Sequence, residues 1–203
     1  LIDSEPLWEK AEIKLINQEG ISYSNSYREK IVGLNQRDSV TLLKNTFKLK
    51  SSIVAIIEQR INILLEIYEK ELNLVPGILN LLEEISNQKL KIGLASGSPM
   101  KAIEFVLNRF NIKRYFSSVV SGESTRKGKP APDIYLKAAK QLDIKPENCI
   151  AIEDSINGVL SVKNAGMFCI AVPHPDLDIN KYKKADLIFY KISDIDIGKV
   201  IKK

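Results

Sequence analysis

The residues best suited to chemistry are two adjacent carboxylates, Glu153 and Asp154, with a hydroxyl directly after them at Ser155. They follow the apolar residues 150–152, a run typical of a strand that is buried on both faces in a parallel sheet. A helical pattern comes next, so the pair is predicted to lie at the carboxyl end of a strand, where open α/β sheets bind ligands. Two acids at this place indicate a site for a hard cation such as Mg²⁺. Alternatively, the pair caps the helix that follows.

A second candidate site follows the predicted strand of residues 90–95. Ser96 offers a hydroxyl there, Gly97 allows the backbone to approach an anion closely, and the next amides begin a helix. In the alternative interpretation, Ser98 is an ordinary N-cap and Pro99 is the first helical residue. The two interpretations are compatible if Ser98 caps the helix while Ser96 binds an anion.

The third candidate is the ammonium group of Lys129, which lies in a loop stiffened by Pro130 and Pro132. Taken alone, it is a solvated surface lysine. Taken with Ser96 and the two acids, it predicts a site at one sheet edge that holds a phosphate group against Mg²⁺. The sequence shows no evident nucleophile for such a site, because the single histidine, His174, follows a later predicted strand.

The elements that must position these residues change in type near Pro76. After it, helical and strand patterns alternate, which predicts an α/β fold with a doubly wound, parallel, Rossmann-like sheet. Strands are predicted at residues 90–95, 116–120, 150–152, 169–172 and 187–189. Before Pro76, apolar residues recur at helical spacing and predict a small helical bundle. The polar residues 176–184 are predicted to form a surface loop.

The composition is that of a globular protein, with 203 residues, 44% hydrophobic and 27% charged. The net charge of +5 comes from scattered lysines without interleaved aromatic residues, a pattern that does not favour nucleic-acid binding. No apolar stretch is long enough to span a membrane. The two cysteines, Cys149 and Cys169, are predicted to be core residues in a reducing compartment. We therefore expect a cytoplasmic monomer that binds a small phosphorylated metabolite, and neither nucleic acid nor membrane.

These residues resemble the motifs of a known family, the haloacid dehalogenase-like hydrolases. Ser96, Lys129 with its following proline, and the acid pair with Asn157 and Gly158 are similar to the family's second, third and fourth motifs. Residues 1–8 resemble the segment directly after the first motif, Asp-x-Asp-Gly-Thr. The similarity is greatest to the branch of sugar-phosphate phosphatases and β-phosphoglucomutase. Within this branch, residues 94–99 and 1–8 most resemble the 2-deoxyglucose-6-phosphate and hexitol phosphatases.

The resemblance implies a mechanism and a domain organisation. The first aspartate of the first motif would attack phosphorus to form an aspartyl phosphate, and the second would act as general acid and then base. Residues 1–4 and 76–203 would form the core, and residues 5–75 an inserted helical cap that closes over the substrate.

The resemblance also implies a role for each candidate residue. Ser96 and Lys129 would be catalytic. Ser96 and Gly97 would hold the transferred phosphoryl group, and Lys129 would neutralise the nucleophile and the phosphate. Asp154, with Glu153 directly or through water, would hold Mg²⁺.

The chain departs from the family pattern in its first motif, which residues 1–203 do not contain. We expect this motif upstream of residue 1, and we expect residues 1–203 alone to be inactive. The activity implied is a Mg²⁺-dependent phosphatase of a small phosphorylated sugar or polyol. The alternatives are a sugar phosphomutase of the β-phosphoglucomutase type and a non-catalytic fragment or pseudoenzyme that binds phosphate or a protein partner.

The cap segment bears on the choice between phosphatase and mutase. In β-phosphoglucomutase-like caps an arginine follows the cap glycine by three residues, whereas here Arg37 lies four residues after Gly33. This weakens the mutase interpretation, because a second phosphate needs a cationic clamp. Asn35 and Gln36 are two of the three intervening residues and are hypothesised to face the substrate.

Overall fold

The computed structural model describes residues 1–23, 36–175 and 177–201. In chain order, its helices and strands are α1 (Glu5–Gln18), α2 (Gln36–Phe47), α3 (Ile53–Glu71), α4 (Ile78–Asn87), β1 (Ile92–Ser96), α5 (Met100–Arg109), β2 (Phe116–Ser121), α6 (Asp133–Leu142), β3 (Ile150–Glu153), α7 (Ile156–Asn164), β4 (Phe168–Ala171), β5 (Leu187–Ile188) and α8 (Ile197–Val200). None of the helices in these ranges is long and apolar enough to cross a lipid bilayer.

The described residues group into two compact units. The first consists of Leu1–Leu74 with Ser98–Phe110, and the second of Val75–Gly97 with Asn111–Lys203. The change near residue 75 coincides with the change of pattern in the sequence. Residues 1–4 and Ser98–Phe110 group with the helical unit, whereas the family resemblance implies that both belong to the core domain. The roles of the two units as cap and core remain a prediction.

The first unit is helical and built on the packing of α1 along α3. Helix α5 joins it because its apolar side chains Ala102 and Val106 lie in the same core. Its N-cap residue is Pro99, one residue after Ser98, the cap expected in the alternative interpretation. The core also contains a buried ion pair between Glu12 and Arg60. A buried pair of this kind needs both partners, because either charge alone would be costly to bury.

The second unit contains parallel strands covered by helices, so the predicted α/β class is confirmed. Strand β1 pairs with β2, and β3, β4 and β5 form a separate parallel group in that order. One apolar core lies beneath both groups. Its members come from α6 and α7 and from all five strands, and include Ala95, Val120, Ala151, Cys169 and Ile188.

The strands form two sheets where the sequence predicted one. Within the described ranges, β1 and β3 each have only one strand neighbour. An edge strand leaves one side uncovered, and its side chains are correspondingly less buried. Ile150 is 37% exposed, and Ala151 and Ile152 are half-buried. The burial of β3 on both faces stays a prediction.

Helix α6 shows where the strand ends lie. Its last residue, Leu142, packs against Gly93 near the start of β1, and the helix contacts both β1 and β2. Its first turn carries Tyr135, whose hydroxyl bonds to Glu153 at the end of β3. The amino end of α6 therefore lies at the carboxyl ends of β1 and β3. The residues that follow these strands share one edge of the unit, as the strand-end rule predicts.

Candidate functional site

The acid pair lies where β3 ends and α7 begins. Glu153 is the last residue of β3 and is only 6% exposed, whereas Asp154 is exposed. The N-cap of α7 is Ser155, whose Oγ accepts a hydrogen bond from the amide of Gly158 at 3.0 Å. Helix capping is therefore the function of Ser155 and does not account for the Asp154 carboxylate.

The Glu153 carboxylate is turned inward and both of its oxygens are engaged. Oε1 accepts hydrogen bonds from the Lys129 ammonium and from the Tyr135 hydroxyl. Oε2 accepts from the amide of Asp154 at 3.2 Å, and from the amide and hydroxyl of Ser155 at 3.5 and 3.2 Å. This carboxylate therefore organises the groups around it and presents little of itself to solvent.

The charges at this site shift the pKa values of the two acids in opposite directions. Burial disfavours the charged form of Glu153, but the charge and hydrogen bond of Lys129 outweigh it and hold the pKa of Glu153 below its usual range. Although Asp154 is exposed as a residue, partial desolvation of its carboxylate and the neighbouring charge of Glu153 raise its pKa. Nearby positive charges, among them Lys129, compensate the Asp154 charge only in part, and a bound cation would compensate it further.

Gly158 provides the space that Glu153 occupies. A Cβ atom at this position would lie 1.9 Å from Oε2 of Glu153 and 2.1 Å from its Cδ. Gly158 is in the first turn of α7 and buried, so the requirement comes from close approach and not from backbone conformation. Any side chain at position 158 would force the carboxylate out of its place.

The anion-binding candidates lie at the end of β1. Ser96 is the last residue of that strand and is half-buried. A Cβ atom on Gly97 would meet no atom within 4 Å, so open space adjoins its backbone. On the other side, a Cβ on Gly122 would lie 3.0 Å from the Gly97 carbonyl oxygen, so Gly122 allows a close backing of this loop. The backbone at Gly97 therefore packs against Gly122 and also borders open space.

A Mg²⁺ ion fits the chemistry of this edge. Within the described ranges, no three His, Cys, Asp or Glu side chains come together as a ready-made metal cluster. Mg²⁺ does not need one, because it keeps several waters and is held by one or two carboxylates together with substrate phosphate oxygens. Asp154 is a hard oxygen ligand whose charge is only partly compensated by the protein. The fit therefore depends on Asp154 more than on Glu153.

The structure brings some predicted residues together and not others. Lys129 and Glu153 are in direct contact beside Asp154, and Ser96 and Gly97 lie at the same edge. Asn35 lies outside the described residues. Gln36 begins α2 in the helical unit, and its Nε2 atom is buried without a hydrogen-bond partner in the described part of the chain.

Sequence reasoning missed two tyrosines. Tyr135 lies six residues after Lys129, on a helix whose apolar pattern predicts a core residue at this position. Its hydroxyl donates a hydrogen bond to Glu153. Tyr182 falls in the segment predicted to be a polar surface loop, yet it is fully buried in a turn of 3₁₀ helix at Ile179–Tyr182. Its hydroxyl donates to the carbonyl of Asp154 at 2.8 Å. Its aromatic side chain within a lysine-rich stretch was the available signal.

The contact between Lys129 and Glu153 predicts a stability effect. The two side chains are 20% and 5% exposed, so Lys129→Ala would leave a buried carboxylate without its cation. We expect the free energy of unfolding, measured with urea, to fall by about 3 kcal/mol. Adding Glu153→Gln should recover most of this loss because the charge is then removed. Lys127→Ala, an exposed lysine of the same loop, should change little. Wild-type stability of Lys129→Ala would show that the pair does not form in solution.

Comparison with known proteins gives a consistent result. The profile of the family described as haloacid dehalogenase-like hydrolase matches residues 1–172. Hexitol phosphatase B of Escherichia coli is 34% identical over 178 residues, which cover 87% of this chain and 80% of that protein. The phosphorylated carbohydrates phosphatase of Thermotoga maritima is 28% identical, covering 82% and 77%. The crystal structure of β-phosphoglucomutase from Clostridium difficile superposes with a TM-score of 0.85 at 26% identity, covering 100% of this chain and 91% of that one.

Proposed function

We start from the finding that the chain belongs to the haloacid dehalogenase-like hydrolase family, and we propose that it is a Mg²⁺-dependent phosphatase of a small phosphorylated sugar or polyol. Two similar proteins are named as phosphatases of hexitols and of phosphorylated carbohydrates, which supports this substrate class. Mg²⁺ is the cofactor typical of the family, and the exposed Asp154 carboxylate suits it.

The observation that carries the proposal is the arrangement around Glu153. A buried carboxylate holds the ammonium of Lys129 at the carboxyl end of β3, directly beside the exposed Asp154. A fixed positive charge and an available carboxylate, side by side, suit a phosphate group and a divalent cation. Phosphoryl transfer depends mainly on such positioning and charge neutralisation.

We assign the steps on the chain's own residues as follows. The Ser96 hydroxyl and the Gly97 amide donate hydrogen bonds to the phosphoryl oxygens, and the Lys129 ammonium neutralises their charge. The Asp154 carboxylate would hold Mg²⁺, with Glu153 acting through water or through its effect on Lys129. When bound, the ion supplies Lewis-acid stabilisation of the charge that develops on the phosphoryl group. Gln36, with its buried amide donor, and Asn35 remain candidates for substrate recognition.

We propose further that the nucleophile is the aspartate of the family's first motif, on a strand that lies between β1 and β3, as the family resemblance implies. Two observations support a place for such a strand. Strands β1 and β3 each have an edge without a strand partner in the described ranges, and both belong to one apolar core. A parallel strand inserted there would join the two sheets and bring its carboxyl end to the edge that carries Ser96 and Asp154.

A sugar phosphomutase is the second candidate, favoured by the superposition on a β-phosphoglucomutase. A mutase of this type passes the phosphoryl group of its phosphoenzyme to a sugar that already carries a phosphate, so it must hold a second phosphate. The displaced Arg37, at the start of α2, argues for the phosphatase. A protein that binds phosphate without catalysis is the candidate from a different functional class.

The test is a substrate panel on the full-length protein. Hexitol phosphates, hexose 6-phosphates and β-glucose 1-phosphate are incubated with Mg²⁺ or with EDTA, and products are followed by ³¹P NMR. We expect inorganic phosphate from at least one polyol or sugar phosphate, at a rate reduced at least about a hundredfold by EDTA. Isomerised sugar phosphate without inorganic phosphate would establish the mutase. No turnover of any substrate, together with measurable phosphate binding, would establish the non-catalytic protein.

A further inference from the structure

Two buried tyrosine hydroxyls point at the acid pair from different elements. Tyr135, in the first turn of α6, is 7% exposed, and Tyr182, in the 3₁₀ turn after β4, is fully buried. The Tyr135 hydroxyl donates to the side chain of Glu153, and the Tyr182 hydroxyl donates to the main chain of Asp154. Each acid thus accepts a hydrogen bond from one tyrosine. Glu153 accepts it with its carboxylate, and Asp154 with its main-chain carbonyl.

Tyr135 completes the surroundings of the Lys129 ammonium. Its hydroxyl shares Oε1 of Glu153 with that ammonium and lies 3.3 Å from Nζ, while its ring centre is 5.1 Å from Nζ. The other oxygen of Glu153 is held by the turn that begins α7. With both oxygens bound, the carboxylate has a single orientation. The place of the ammonium follows from that orientation and from direct contact with the tyrosine.

Tyr182 fixes the backbone that carries the Asp154 carboxylate. Asp154 lies between the end of β3 and the N-cap Ser155, outside both regular elements. The amide of Gly158, one of the first-turn donors without a carbonyl partner in the helix, bonds to the cap hydroxyl. Tyr182 donates to the Asp154 carbonyl at 2.8 Å. Its own 3₁₀ turn is held by the Asp178 side chain, which accepts from the amide of Asn180 at 2.9 Å, and the turn packs on α7.

We propose that Tyr135 and Tyr182 are positioning residues with separable effects. Tyr135 acts on Lys129 through Glu153 and by direct contact, and Tyr182 acts on the Asp154 carboxylate through its backbone. The proposal rests on the proposed function, because it assigns Lys129 to the phosphate and Asp154 to the cation. Neither tyrosine touches the phosphate in this assignment. Phenylalanine preserves the ring and its packing at both positions, so each hydroxyl can be removed by itself.

The expected results differ between the two variants. Tyr135→Phe should lower kcat about tenfold and halve the rise in Tm caused by inorganic phosphate, with the Mg²⁺ half-saturation concentration within about twofold of wild type. Tyr182→Phe should raise the Mg²⁺ half-saturation concentration about tenfold and reduce the Mg²⁺-induced rise in Tm, with kcat at saturating Mg²⁺ within about threefold.

The experiment uses the full-length protein, with Tyr190→Phe as the matched control, because Tyr190 is 74% exposed. The control should leave every quantity unchanged. A purely structural role would lower the ligand-free Tm of a variant while leaving its kcat, half-saturation and ligand-induced shifts intact, and would overturn the proposal. The proposal would also be overturned if Tyr135→Phe changed the Mg²⁺ half-saturation and Tyr182→Phe changed kcat instead, or if both variants behaved like the wild type. If the wild type itself shows no turnover, the proposed function fails, and the two Tm shifts still decide the roles of the tyrosines.

Discussion

Asp154→Asn is expected to lower kcat/KM about a thousandfold, or about 4 kcal/mol of transition-state stabilisation, and to abolish the rise in Tm that Mg²⁺ causes in the wild type. The exposed carboxylate of Asp154 is the group best placed to hold the ion, because both oxygens of Glu153 are engaged by protein donors. An amide keeps the shape of the side chain but lacks its charge. The measurements are steady-state kinetics over a Mg²⁺ titration and thermal unfolding with and without the ion.

The same variant should not be less stable in Mg²⁺-free buffer. Partial desolvation of the carboxylate and the charge of Glu153 raise the pKa of Asp154, which means that folding disfavours its charged form at neutral pH. Removing that charge therefore leaves the free energy of unfolding unchanged or increases it. Asp143→Asn is the matched control, because this exposed residue has φ of 55°, a conformation that asparagine also tolerates. An unchanged Mg²⁺ titration in Asp154→Asn would exclude Asp154 as the metal ligand.

Gly158→Ala should have the second large effect, reducing both stability and turnover. Alanine normally stabilises a helix relative to glycine by about 0.5–1 kcal/mol. Here the added Cβ would lie 1.9 Å from Glu153 Oε2, so the carboxylate must move. Its displacement breaks the contacts with Lys129 and Tyr135 and leaves a buried charge poorly bonded. We expect the free energy of unfolding to fall by about 3 kcal/mol and kcat by about a hundredfold.

Urea unfolding and steady-state kinetics measure the two effects of Gly158→Ala. The matched control is Gly198→Ala in α8, where the nearest atoms would lie 3.4 Å from the new Cβ, an ordinary contact distance. That variant should keep the activity of the wild type. If Gly158→Ala is as active as the control, the inward carboxylate of Glu153 does not organise the site. If it loses stability but not turnover, Glu153 has only a structural role.

Local pattern was sufficient for much of the fold. Strands β2 and β4 lie within one residue of their predicted ends. Apolar periodicity identifies such elements because it records which face of each is buried. It does not record which edges of a strand are paired. The order in which the strands pair, with β4 between β3 and β5, could therefore not be predicted from it.

For the candidate site, the sequence by itself determined which residues lie at the carboxyl ends of the strands. Ser96, Lys129 and the acid pair follow predicted strands or their loops, and carboxyl ends of parallel strands share an edge, so composition and order were enough. Only the tertiary structure decided how these residues are used. Glu153 turns inward, Asp154 remains exposed, and Tyr182 donates to the Asp154 carbonyl from 28 residues away. The physical reason is range: strand and helix patterns are encoded by near neighbours, whereas the partner of a buried polar atom is set by packing between segments distant in the chain.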